Sequence, residues 1–227
     1  MENRIIVLEH DPQWEKLYKE ERKKLKVLLS KNLQAVHHIG ASSVKPLASR
    51  PVIDILAVVK DIALTDTLSE GFKNLGYTCC GEMGIEQRRY FCKTERNISY
   101  NLQIFQFTNR DDINKLLSMK GYLLSHPDKA KEYSELKISL ASSFPNDIRA
   151  YTDGKQEYLS ELQKDADKWS KDENTRSLYM SSGMCIGMGV GTCLGVAFNN
   201  ISLGMCLGMS IGMCIGLALA GSAINKK

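Results

Sequence analysis

From Ser177 to Asn225 the chain carries no charged residue, a run of 49, and ten glycines fall within it. Few folds accept such a stretch. In water each glycine costs a helix about 1 kcal/mol against alanine. Lipid removes that objection, because it offers backbone groups no partner and forces their hydrogen bonds to close internally. The glycines recur at 183, 187, 191 and 195, then at 204, 208, 212 and 216. A period of four lays small residues along one side of a helix, in a groove that a second helix can enter. Leu178 to Phe198 and Ile201 to Ile224 are each long enough for a spanning helix of about 20 residues, with Asn199-Asn200 as the turn between them. The sequence thus predicts a soluble domain over 1–170 and a transmembrane helical hairpin over 171–227.

Lys164, Lys168, Lys171 and Arg176 precede the first span, and Lys226 and Lys227 follow the second. Positive residues stay on the cytoplasmic side, so both ends and the soluble domain are expected there. Met, Cys, Gly and Ile dominate the hairpin, which leaves it without a catalytic group. Anchoring through residues 177–225 is one role for it. Self-association through Gly-xxx-Gly faces, as a channel-like or lytic oligomer, is another, and a water-facing glycine-rich assembly is a third.

The remainder has the composition of an ordinary soluble domain. Thirty basic residues against 26 acidic give a net charge of +4, which favours anions in general but lacks the dense patch of a nucleic-acid binder. Seven cysteines form no CxxC pair, so neither a disulfide framework nor a zinc site follows. The first apolar stretch, Ile5 to Leu8, is too short for a signal peptide.

Ile5 to Leu8 reads as a short strand or extended lead-in. Trp14, Leu17, Tyr18, Leu25, Leu28 and Leu29 recur at helical spacing and predict an amphipathic helix over 12–30. Strands are expected at 36–39, in the run ending near Lys60, at 77–80, at 87–93 and at 99–107, with helices at 65–75, twice between 111 and 144, and from Tyr151 to Trp169. Such an order fits an α+β domain, a mixed sheet with helices on one side.

Within the run from Pro51 to Val59 a single acid, Asp54, interrupts apolar residues. An ionised carboxylate in such a strand needs a cation, a metal or several donors. Just upstream, Gly40-Ala41-Ser42-Ser43 is a small-residue turn whose N–H groups and hydroxyls suit an anion. Together the turn and the acid are the skeleton of a nucleotidyltransferase metal–phosphate site, with Asp54 as catalytic residue and as ligand of Mg²⁺.

The chain resembles the GrpB family, a branch of the nucleotidyltransferase-like fold. His38-Ile39-Gly40-Ala41-Ser42-Ser43-Val44, Arg50-Pro51-Val52-Ile53-Asp54-Ile55, Gly81-Glu82 and Arg88-Arg89-Tyr90-Phe91 carry the match. Tyr122-Leu123, His126-Pro127, Tyr133, Leu136-Lys137, Tyr151-Thr152 and Lys155 extend it. The resemblance implies a pocket that handles nucleotides or phosphate esters. It also marks departures. The usual second strand acid is replaced by Leu56, and Asn101 and Gln103 stand where a later strand of the family carries His-x-His. Amides orient ligands but are poor metal ligands and cannot serve as general bases.

The residues expected to bind substrate or phosphate are Gly40, Ser42, Ser43, Arg50, Arg88, Arg89, Asn101, Gln103, Lys137 and Lys155. Arg88 and Arg89 alternate in a strand, so one of them faces the pocket. Against these roles stand a closed ion pair of Asp54 with Arg50, Arg88 or Arg89, steric use of the serines, and solvated lysines. His38 reads as a structural histidine, and Glu82 or Glu86 as a replacement for the missing acid. The first reading is a nucleotidyltransferase-type domain tethered to the inner membrane face. Its alternatives are a binding or scaffold module whose catalysis has lapsed, and a zipper oligomer regulated by the soluble domain.

Overall fold

The computed structural model describes residues 4–225. Lys226 and Lys227, on which the charge argument partly rests, lie outside the described residues. Helix α1 (Gln13–Leu29) buries Trp14, Tyr18, Glu21, Leu25 and Leu29, a stripe at three- and four-residue spacing. Next come β1 (Leu33–Ile39), β2 (Val52–Val59), two short helices α2 (Ala63–Asp66) and α3 (Ser69–Asn74), and the strands β3 (Thr78–Cys79), β4 (Arg88–Glu95) and β5 (Ile98–Gln106). They form one sheet in the order β1-β2-β5-β4-β3. β2 and β5 run parallel, and every other pair is antiparallel. Ile5 to Leu8 is not a strand of this sheet. It keeps one bridge, Leu8 to Ser49, and a bond from Ile5 N–H to the Pro145 carbonyl.

The pleat of β2 sends Ile53, Ile55, Ala57 and Val59 to one face, where they join Phe91, Tyr100, Leu102 and Ile104 beneath α1 and α3. Leu56 and Val58 face the other way, with Ile39 and Phe105, and Ile113, Leu116 and Leu117 of α4 (Arg110–Ser125) cover them. Helices therefore flank both faces, not one. Both faces of β2 are apolar except at Asp54, and a strand of that kind needs cover on each side. A buried ion pair, Lys93 Nζ to Glu21 Oε1 at 2.6 Å, ties β4 to α1. Beyond α4 lie α5 (Pro127–Ser143) and α6 (Ile148–Gly154), the latter capped by Asp147 accepting from the N–H groups of Arg149 and Ala150.

Helix α7 (Gln156–Ala197) does not stop at Trp169. Neither glycine nor proline interrupts residues 170–182, so nothing ends the helix before the glycine stripe begins. The chain divides into two units, Met1–Ala166 and Asp167–Lys227, and the division falls inside α7 instead of in a linker. In the second unit Asn199, with φ +53°, turns the chain into α8 (Ile201–Asn225). The glycine stripes meet each other. A Cβ on Gly187 would stand 2.1 Å from the Gly208 carbonyl oxygen, one on Gly191 2.2 Å from that of Gly204, and one on Gly183 2.2 Å from that of Gly212. The Gly-xxx-Gly faces are thus used within one hairpin, and an association between chains through them would have to open it.

Candidate functional site

Asp54 shares its sheet face with Leu56 and Val58, opposite Ile39 of β1 and Asn101 of β5. β1 turns away at Gly40, which adopts φ +69°, a conformation open to glycine. A Cβ there would lie 2.3 Å from Asp54 Oδ2, so the backbone approaches the acid as closely as a bare Cα permits. The other oxygen, Oδ1, accepts a hydrogen bond of 2.9 Å from Asn101 Nδ2, its register partner on β5. Burial pushes the Asp54 carboxyl above the usual carboxylate range, opposed by the Asn101 bond and by the charges of Arg50 and Lys155.

Three cations surround this end of the sheet. Arg50, just before β2, lies 5.7 Å from the Tyr151 ring centroid. Lys137 on α5 is 3% exposed, donates to the Ala48 carbonyl and stands 4.4 Å over the Tyr133 ring, one turn back. Lys155, closing α6, stands 4.9 Å over Tyr151, again one turn back. Burial, then the charges of Lys155 and Arg50, lower the Lys137 ammonium to about 7. Lys155 is lowered by burial and by Arg50, with Asp54 acting the other way. The cations destabilise one another, and a single buried acid does not balance them. Tyr133 belongs to the same group: burial, then Tyr151 and Asp54, raise its hydroxyl.

The other expected site residues divide. Ser42 is 1% exposed and its Oγ is hydrogen-bonded at 3.1 Å to His38 Nε2. His38 stacks on Tyr18, and burial lowers it to about 4, so this pair braces the turn. Ser43 donates its hydroxyl to the Gly40 carbonyl at 2.8 Å. Arg88 is on the Asp54 face, but its donors go to the Glu82 and Met83 carbonyls and to Gln103 Oε1, at 2.9–3.1 Å. Gln103 thereby serves Arg88, not the acid. Arg89 is on the opposite face, bound through Nε and Nη2 to Asp66 at 2.6 and 2.8 Å and through Nη1 to Glu82 at 3.1 Å. Arg89 is removed from the pocket by the strand pleat, and Glu82 by that ion pair.

Position 56, where the second metal-bridging acid would stand, is a fully buried leucine. Among the described residues no three His, Cys, Asp or Glu side chains are grouped to hold a metal ion. The donor set does not fit the two-metal arrangement. Tyr133 and Tyr151 were not singled out as site residues from the sequence. Their signal was present in Tyr133-xxx-Lys137 and Tyr151-xxx-Lys155, a spacing that stacks the two side chains on one helix face.

A mixed sheet flanked by helices, with a glycine turn against a strand acid, is the α+β architecture that the resemblance implies. The chain belongs to the GrpB family: the family model described as "GrpB protein" matches residues 4–165. A second, described as "Glycine zipper membrane protein", matches residues 173–222. UPF0157 protein YqkA of Bacillus subtilis is 33% identical over 171 residues, covering 75% of this chain and 50% of YqkA. The chain thus spans half the length of that relative. Glutamate-rich protein GrpB of Alkalihalophilus pseudofirmus is 26% identical over 70% of this chain and 93% of its own. The crystal structure of the conserved protein GrpB from Enterococcus faecalis superposes with a TM-score of 0.68 at 36% identity, covering 71% of this chain and 96% of that one.

Proposed function

We propose that the soluble domain binds a phosphate ester, a nucleotide or another phosphorylated small molecule, at the cationic pocket around Asp54. The observation that carries the reading is a cluster of three cations, Lys137 on the Ala48 carbonyl beside Arg50 and Lys155, of which Arg50 and Lys155 face Asp54. Repelling cations in a half-buried place are relieved by an anion of more than one charge, and Arg and Lys recognise phosphate in complementary ways. Asp54 would be the residue to hold a Mg²⁺ that arrives with the phosphate, and the ion would supply charge neutralisation there. With Leu56 buried and Asp54 the one carboxylate that the strands place on this face among the described residues, the same observations favour binding, or chemistry assisted by one metal, over two-metal transfer.

The test is calorimetric titration of the full-length protein with ATP, CTP, GTP, UTP and pyrophosphate, with and without Mg²⁺. Binding that disappears in Lys155→Ala and Arg50→Ala supports the site. Asp54→Asn should tighten Mg²⁺-free binding, by removing a like charge, and abolish any Mg²⁺-dependent gain. Heats that stay flat for every phosphate compound would refute the reading.

We also read residues 177–225 as a membrane tether. Ile186, Val190 and Leu194 on α7, Phe198 just after it, and Leu203, Leu207, Ile211, Ile215 and Leu219 on α8 keep 53–77% of their surface exposed, which lipid would cover. Both helices are long and apolar enough to span a bilayer. In cell fractionation the full chain should pellet with membranes and the 1–176 fragment should not. A pelleting fragment would end this reading, and protease protection of the soluble domain in inverted vesicles would end the cytoplasmic orientation.

A further inference from the structure

No role discussed so far uses Cys80 or Cys92, although Cys92 stands on β4 as the register partner of Asn101, on the face that carries Asp54. Their sulfurs are 3.1 Å apart in a thiol–thiol hydrogen bond, and both residues are half-buried. Cys80 follows the last residue of the two-residue edge strand β3, and Cys92 stands in β4 opposite Thr78. Backbone bonds from Cys80 N–H to the Tyr90 carbonyl, 2.8 Å, and from Tyr90 N–H to the Gly81 carbonyl, 2.9 Å, hold the two segments side by side. A sulfur–sulfur bond of about 2.05 Å requires an approach of about 1 Å from there. The end of a short edge strand, followed by Gly81 at φ +70°, is where the backbone gives most easily.

We propose that Cys80 and Cys92 form a reversible intramolecular disulfide that staples the exposed edge of the sheet, and the 81–87 segment that follows it, to β4. A small-molecule disulfide supplies the oxidising equivalents. One protein sulfur, as thiolate, attacks it and expels the first small thiol. The second protein sulfur then attacks the mixed disulfide, forming the Cys80–Cys92 bond and releasing the second small thiol. Two protein thiols lose two protons and two electrons, and the small disulfide is reduced to two thiols. The bond from Cys92, and burial, push the Cys80 thiol up to about 11, so exchange is slow. Cys79, exposed and on the opposite face, is the competing acceptor.

The experiment incubates the full-length protein in detergent with oxidised glutathione and maps its cysteines by mass spectrometry of proteolytic peptides. The expected product is a linked 80–92 peptide pair, lighter by two hydrogens, that dithiothreitol restores. It persists in Cys79→Ser and is lost in Cys80→Ser and in Cys92→Ser. Amide exchange over 81–87 slows by roughly tenfold on oxidation of the wild-type protein, and melting curves of the reduced serine variants report whether they fold. Glutathione on Cys79 alone, a bond from Cys79 to another cysteine, or folded Cys79→Ser protein with no 80–92 linkage each overturns the proposal.

Discussion

Gly40 and Asp54 are built against each other: the hydrogen of one Cα occupies the space where a methyl group would strike the other's carboxylate oxygen. The register pair Ile39 and Asp54 brings β1 to this point, and the positive φ of Gly40 turns it away. The same residue thus ends a strand and packs its bare Cα against the acid.

Gly40→Ala should therefore fail twice. Its Cβ would stand 2.3 Å from Oδ2, in a backbone conformation that alanine adopts with strain. We expect a loss of about 1–3 kcal/mol of stability, seen as a lower Tm, together with loss of phosphate binding. An alanine variant as stable as the parent would show that the turn relaxes freely.

Lys137 predicts a pH signature. Its ammonium is lowered to about 7, by burial first and then by Lys155 and Arg50. Between that value and its ordinary 10.5 the unfolded chain holds a proton that the folded chain has released. Stability attributable to Lys137 should thus rise as pH climbs through this window, and the cost is fully present below it. Lys137→Met should raise stability at pH 7 and flatten the rise. A bound phosphate pulls the ammonium back up, so binding at pH 8 should take up a fraction of a proton. Calorimetry in two buffers of different ionisation enthalpy measures that uptake directly.

The two neighbouring arginines should behave oppositely in stability and alike in binding. Arg89 and its partner Asp66 are 21% and 51% exposed, and such pairs contribute about 0–1 kcal/mol. Arg88 is buried and satisfies two loop carbonyls, so Arg88→Ala should cost about 1–3 kcal/mol. Neither change should weaken phosphate affinity more than severalfold. A collapse of binding in Arg89→Ala would contradict the placement of the pocket.

In the hairpin, Gly187→Ala drives a methyl group into the Gly208 carbonyl, whereas Gly189 has nothing within 4 Å. Gly187→Ala should loosen the hairpin by about 1–3 kcal/mol, and Gly189→Ala should leave it unchanged or firmer. Thermal unfolding in detergent, followed by circular dichroism, distinguishes them.

Much of this was readable from the residues. The single acid in an apolar strand, the glycine turn before it, the period-four glycines and the Asn-Asn turn each carry a local signal that tertiary structure has little freedom to override. What escaped depends on packing between distant segments. Lys137 stands among the expected site residues through the family resemblance, but its burial under the Ala48 segment, on a Lys- and Glu-rich helix, has no local signal. Arg88 looked free to grip a ligand until the 82–83 carbonyls arrived. The helix expected to close at Trp169 runs on, because no glycine or proline follows before Gly183 to stop it.

Leu56 sets a limit on redesign. It is the residue through which an engineer would try to restore a two-metal enzyme, since an acid two places after Asp54 shares its side of the strand. Yet Ile113, Leu116 and Leu117 roof that spot. A carboxylate introduced there would face hydrocarbon and pick up a proton instead of a metal. Gaining such an activity would mean lifting α4 from the sheet, which no single substitution achieves.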